Sequence, residues 1–234
     1  MDDRFLDGRV AVRQSADGFR SGLDAVMLAA AVPARAGDHV LELGAGAGAA
    51  SLCLAARVAC RVTAVEIDAA LASLIGENAE LNGATVEAVC ADIFALPPEL
   101  KREYAHVFCN PPFHEGRASP DDARDRALRD SGRFGDWLEV GLKRTVSGGT
   151  FTTIIRADRM GEALALLPAR GVGVLPLWPR ADAPAKRVII QAVKGTRSAL
   201  TMLPGLVLHE SDGRYTQAAD AVLRDGAALS MERA

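Results

Sequence analysis

Apolar positions along the chain gather into runs of two kinds, and the two kinds alternate. His39-Val40-Leu41-Glu42-Leu43 reads as a buried strand ending at glycines, Ala47 to Val58 as a helix, and Arg61 to Ile67 as a second strand. A helix from Ala69 to Leu81 is stopped by Asn82-Gly83, and Thr85 to Cys90 and Tyr104 to Cys109 supply a third and a fourth strand. The next helix runs from Trp137 to Val146 and closes at Gly148-Gly149, and Thr150 to Ile155 is a fifth strand. Strands alternating with helices in this way imply βαβ units. The expected fold is α/β, Rossmann-like and doubly wound. Val174 to Trp178 and Arg187 to Val193, joined by Pro179 to Lys186, predict a terminal antiparallel hairpin on a mostly parallel seven-stranded sheet. Ahead of the alternation, Ser21-Gly22-Leu23-Asp24 has the form of a capping box opening a short helix. The expectation is a single domain, with residues 1–37 as an N-terminal extension and helix, 38–195 as the core and 196–234 as a tail packed on it.

Composition narrows the class. At 234 residues, 49% apolar and 24% charged, the chain can bury a sizeable core and is not a largely disordered one. The longest apolar helical stretch, Ala25 to Val32, is stopped by Pro33, far short of a bilayer span. Met1-Asp2-Asp3-Arg4 opens acidic with no apolar region behind it, so a cytoplasmic protein is expected. Cys53, Cys60, Cys90 and Cys109 form no Cys-x-x-Cys pair and have no histidine at ligand spacing, which predicts buried reduced thiols and no metal. The net charge of −3 argues against a nucleic-acid partner, but residues 151–234 carry 11 basic against 8 acidic residues, so the C-terminal part is the better face for an acidic polymer.

Two motifs carry chemistry. Glu42-Leu43-Gly44-Ala45-Gly46-Ala47-Gly48 follows a strand and opens a helix, the setting in which a backbone can approach a ligand closely. With Ala49 the loop also fits a nicotinamide-dinucleotide fingerprint, and Glu66 at the end of the second strand, with Ile67 beside it, suits ribose hydroxyls in either case. Glu42 favours S-adenosylmethionine, because an acid there would repel a pyrophosphate yet can order the backbone or meet a methionine ammonium. Asp92, followed by Ile93, is placed to accept from an adenine amino group. The second motif is Asn110-Pro111-Pro112-Phe113 after the apolar run Val107-Phe108-Cys109. An Asn carbonyl and the carbonyl of the next residue can accept both hydrogens of one planar NH2 group, while an aromatic ring stacks on its π-system.

With these features the chain resembles the class I methyltransferases that carry an Asn-Pro-Pro-aromatic motif, in particular the tRNA adenine-N6 methyltransferases acting beside the anticodon of a valine tRNA. The resemblance runs through Gly18 to Ala25, Arg156 to Arg159, Pro184-Ala185-Lys186-Arg187-Val188, Leu206 to Glu210 and Asp212 to Thr216. It implies an enzyme that binds S-adenosylmethionine through Arg20, Asp24, Glu42, Gly44, Gly46, Gly48, Glu66, Ile67, Asp92, Ile93 and Asn110. It also implies transfer at Asn110, Pro111, Pro112 and Phe113 to an adenine N6 in RNA, with tRNA as the partner. Phe113-His114 also resembles the ribosomal-RNA guanine-N2 enzymes, and the protein-glutamine methyltransferases share the motif but carry a helical domain before the glycine loop.

Plainer readings stand beside these. Asn110-Pro111-Pro112 is otherwise a strand-ending turn, Asp24 a helix-capping acid, Arg20 a surface arginine, and His114 and His209 loop histidines. Between Glu115 and Arg133 five arginines, Arg117 among them, mix with five acids, which predicts a solvated, mobile loop as readily as a phosphate grip. Lys186 and Arg187 are the stronger candidates for RNA contact. An O-methyltransferase would need a base or metal that the Asn-Pro-Pro-Phe site does not offer, and a donor-binding scaffold without catalysis would have no need of the amine clamp.

Overall fold

The computed structural model describes residues 2–14, 20–112 and 133–231. Its centre is a nine-stranded sheet. In chain order the strands are β3 (His39–Leu43), β4 (Arg61–Glu66), β5 (Val86–Cys90), β6 (Tyr104–Cys109), β7 (Thr145–Arg156), β8 (Val172–Trp178), β9 (Arg187–Val193), β10 (Thr201–Met202) and β11 (Leu206–Val207), after a separate hairpin of β1 (Asp3–Phe5) and β2 (Val10–Val12). The main path is β10-β8-β9-β7-β6-β3-β4-β5, with β11 also on β8. Strands β3 to β7 are parallel, and β9 runs antiparallel between β7 and β8. The expected α/β class, parallel core and terminal hairpin are all present. The two extra strands are two-residue additions from the tail, too short to leave a periodic signal.

Helices α1 (Leu23–Ala31), α2 (Ala49–Arg57), α3 (Ala69–Asn82), α4 (Phe134–Lys143), α5 (Met160–Leu166) and α6 (Gln217–Asp220) accompany the sheet. Strand alternation sorts the core into two layers. On β3, Val40 joins the layer formed with α1 and α2, whereas Leu41 and Leu43 join the layer containing Phe134 and Leu138 of α4. Strand order reverses between β3 and β6, and such a switch point opens a crevice at the carboxyl ends of the strands. No helix among the described residues is long and apolar enough to cross a membrane.

Four local expectations are corrected. The helix expected over Trp137 to Val146 occupies Phe134–Lys143, and Gly148-Gly149 lie inside β7 instead of closing it. There the register with β6 shifts, Gly148 has φ 79°, and a Cβ on Gly149 would stand 2.4 Å from the Ala105 carbonyl, so the pair builds a bulge that reads as a helix stop in sequence. The capping box is absent. Gly22 is the N-cap of α1 without a side-chain cap, the Ser21 amide donates to Gln14 Oε1 at 2.7 Å, and Asp24 turns to Arg187. Cys90 is exposed, because β5 is the edge strand, whereas Cys53, Cys60 and Cys109 are buried. The β1–β2 hairpin was not foreseen. Its three-residue strands are held by side chains of α3: Asn78 and Asn82 each accept from one β2-side amide and donate to the same residue's carbonyl, at Arg13 and Ala11 respectively.

Candidate cofactor and amine site

The glycine loop leaves β3 at the switch point. Amides of Gly44 and Ala45 donate to the Val65 carbonyl at 2.9 and 3.0 Å, and Gly48 donates back to Ala45, so the loop is tied to β4 and curls into α2. Gly44, Gly46 and Gly48 all have positive φ. At Gly44 a Cβ would lie 2.4 Å from the indole of Trp137, while at Gly46 it would meet nothing within 4 Å. Behind the loop the backbone is thus wedged against a ring, and in front of Gly46 the space is open to a ligand. Helix α2 has Gly48 as its N-cap and no side-chain cap from that residue, and the Ser51 amide of its first turn is taken by the Glu42 carboxyl.

Three acids stand at the carboxyl ends of β3, β4 and β5. Glu66 Oε2 accepts from the Gly46 amide at 2.8 Å, and Oε1 accepts from Ile67 and Asp68 amides at 2.9 and 3.0 Å. Ile67 itself is 67% exposed, an apolar side chain left at the crevice mouth. Asp92 accepts from the Phe94 amide at 2.8 Å and opens a short turn whose Ile93 is buried. Glu42 is fully buried, and that burial pushes its carboxyl up to about 8 despite hydrogen bonds from the Ser51 hydroxyl and backbone amide; nearby Glu66 adds to the rise. Its contacts are therefore with the first turn of α2, of the backbone-ordering kind. Burial likewise lifts the Cys53 and Cys109 thiols to about 12, so neither is a thiolate nucleophile at neutral pH.

Asn110 follows β6, and the pairing of Leu43 with Cys109 places it one strand from Gly44, about 5 Å in the sheet direction. Its Oδ1 is buried with no hydrogen-bond partner among the described residues. A buried acceptor left unmatched costs about 1–3 kcal/mol; the Arg57 Nε and Tyr104 hydroxyl share that state, and of the three Asn110 alone stands at the carboxyl end of a strand beside the glycine loop.

Comparison with known proteins fits this geometry. The methyltransferase small domain matches residues 19–136, half of the chain. The chain belongs to the small-domain methyltransferases. It is 31% identical over 181 residues to a tRNA1(Val) (adenine(37)-N6)-methyltransferase of Bacteroides fragilis, covering 72% of this chain and 75% of the relative. A Shewanella baltica protein of the same name is 28% identical over 218 residues, 89% and 92% of the two chains. Among solved structures, a predicted O-methyltransferase from Agrobacterium tumefaciens superposes with TM-score 0.74 at 30% identity, over 88% and 98% of the chains. A Thermus thermophilus 16S rRNA N2 G1207 methyltransferase shares the fold at TM-score 0.56 and 24% identity, over 83% of this chain and 50% of that one.

The methyltransferase is thus an enzyme whose cofactor is S-adenosylmethionine. The open face of Gly46, the Glu66 carboxylate and the exposed Ile67 are the groups that could hold that cofactor.

The other expected site residues divide. Asp24 and Arg187, named for different ligands, meet each other at 2.8 Å across 163 positions. Arg20 pairs with Asp3 at 2.5 Å. Lys186 is exposed at the turn before β9. Pro111 and Pro112 follow Asn110 out of β6, whereas Phe113, His114, Arg117 and the charged stretch up to residue 132 lie outside the described residues.

Sequence reasoning missed the supports of the site. Trp137 backs Gly44 and meets Phe94 edge-on at 6.0 Å, with the Arg133 guanidinium 3.4 Å from the Phe94 centroid. Asn78, wholly buried, donates to the Ala47 carbonyl of the glycine loop at 3.0 Å while bonding both backbone groups of Arg13. A signal existed for it, since a polar residue beside the inward Ala72, Ile75 and Ala79 of a helix must find buried partners.

Proposed function

We propose that the methyltransferase transfers a methyl group to the exocyclic N6 amine of an adenine in RNA, with tRNA beside the anticodon as the substrate. The observation that carries this reading is the buried Asn110 Oδ1, without a hydrogen-bond partner among the described residues and one strand from the glycine loop. An Asn side chain there accepts one N–H of a planar amine, and the Pro111 carbonyl is placed in sequence to accept the other. The names of the curated relatives point to adenine N6 in tRNA as the amine concerned.

The bound cofactor supplies a methyl on an activated sulfonium. The chain's own residues supply position. The adenine leaves its stack and is held by its amine at Asn110, with Phe113 named by the motif as the stacking partner. Acceptors on both N–H bonds favour a pyramidal nitrogen whose lone pair is freed from the ring for the methyl group the cofactor would supply, so these bonds strengthen toward the transition state. Alignment contributes up to roughly 7–11 kcal/mol in favourable cases. The proton becomes acidic once the nitrogen is methylated and can depart to water, consistent with an amide at the centre of the site. Pro111 and Pro112 lack amide donors that would compete for the same acceptors.

The test is transfer of labelled methyl from S-adenosylmethionine to separated tRNA, ribosomal RNA and protein. Label in tRNA as N6-methyladenosine supports the reading. Label as N2-methylguanosine in ribosomal RNA, which the Phe113-His114 pair suits, or label confined to protein, replaces it.

A further inference from the structure

Segments far apart in sequence converge on an open cleft of about 280 Å³. Its apolar walls are Leu23 at the start of α1, Leu177 at the end of β8 and Leu208 in the tail, with Pro179 and Lys186 at the mouth. Asp24 and Arg187 also line it, but they are paired with each other, so their charges offset at the wall. The β8–β9 turn that rims the cleft carries exposed Arg180 and Lys186 against exposed Asp182. Neither basic residue has an ion-pair partner among the described residues, so both charges at the rim face outward to solvent.

Position gives the cleft its meaning. Arg187 is in register with Arg156, the last residue of β7, and with Leu177 of β8. Strand β7 is the neighbour of β6, whose end carries Asn110, so the cleft lies at the same carboxyl end of the sheet, two to three strands or about 10–15 Å across from the amine-holding position. An apolar slot with a positive lip at that spacing suits a flat base and its phosphate.

We infer that this cleft seats a nucleotide of the substrate RNA flanking the target adenine, its base against Leu23, Leu177 and Leu208 and its phosphate at Lys186. Holding the neighbour there fixes the RNA backbone while the target leaves the stack. This rests on the RNA reading above. It adds a second, separate contact point.

The test is steady-state methylation of tRNA isolated from cells lacking the gene, at several salt concentrations, with Lys186→Glu, Lys186→Met and Lys101→Glu. Lys101 is an exposed lysine just ahead of β6, at the opposite end of the sheet, and controls for net charge. Lys186→Glu is expected to raise the KM for tRNA at least tenfold with kcat and the Kd for S-adenosylmethionine within twofold, and Lys186→Met to lower the salt slope of binding by about one. Photo-crosslinked tRNA should yield nucleotide adducts on peptides containing residues 177–187 or 206–216. A KM in Lys186→Glu equal to that of Lys101→Glu, or adducts confined to other peptides, overturns the inference and leaves the RNA reading standing, and the cleft then serves some other partner such as a protein. Wild-type enzyme that methylates no RNA overturns both.

Discussion

Replacing Asn78 by Leu tests whether the N-terminal hairpin and the cofactor loop are one mechanical unit. The substitution keeps most of the volume and removes three hydrogen bonds, two to Arg13 at 2.9 and 3.0 Å and one to Ala47 at 3.0 Å. The Arg13 groups are partly buried and can recruit water, at about 0.5–1 kcal/mol each; the Ala47 carbonyl is in a buried bond and costs about 1–3 kcal/mol when orphaned. The expected loss is therefore about 2–5 kcal/mol. Asn82→Leu is the control, since Asn82 bonds Ala11 and the Asn78 carbonyl but not the glycine loop. Urea unfolding should show both variants destabilised, Asn82→Leu by about 1–3 kcal/mol. Calorimetric titration with S-adenosylmethionine should separate them: Kd at least tenfold higher in Asn78→Leu and within threefold of wild type in Asn82→Leu. Equal changes in Kd, or none in Asn78→Leu, would refute the coupling.

Three further outcomes follow from the site. Asn110→Ala should cut kcat by roughly two to three orders of magnitude, the usual scale for removing a group that acts in the transition state, measured by single-turnover methyl transfer. Gly44→Ala combines a positive φ with a Cβ 2.4 Å from the Trp137 ring, together about 2–5 kcal/mol of strain and overpacking, and should show as a lower unfolding midpoint and weakened cofactor binding. For Glu42, the folded carboxyl titrates at about 8 against an ordinary 4.5, so the folded chain holds a proton that the unfolded chain releases. Stability of the cofactor-free protein is then highest below pH 4.5 for this group and falls by up to about 1.4 kcal/mol per pH unit until about 8. Glu42→Gln should abolish that fall, gaining on wild type across the window in urea titrations; parallel curves would exclude a neutral Glu42.

The parallel core and its terminal hairpin were legible because buried parallel strands leave uninterrupted apolar runs, as in Val40 to Leu43 and Val107 to Cys109. The loop was legible at Gly44, Gly46 and Gly48, whose positive φ demands the backbone freedom of glycine. What failed to show were features set by distant partners. Gly148-Gly149 looks like a helix stop until the carbonyl of Ala105 is seen against it, and Asp24 looks like a cap until Arg187 arrives from 163 positions away. Trp137 and Asn78 support the loop through contacts across the fold, and no local pattern records which loop they support.

The most direct test of the account is mass spectrometry of nucleosides from tRNA of a strain lacking the gene, before and after incubation with purified protein and S-adenosylmethionine. The account predicts that N6-methyladenosine appears with wild-type protein and not with Asn110→Ala. Its absence with wild-type protein, or appearance of the methyl only in N2-methylguanosine or in protein, would contradict it.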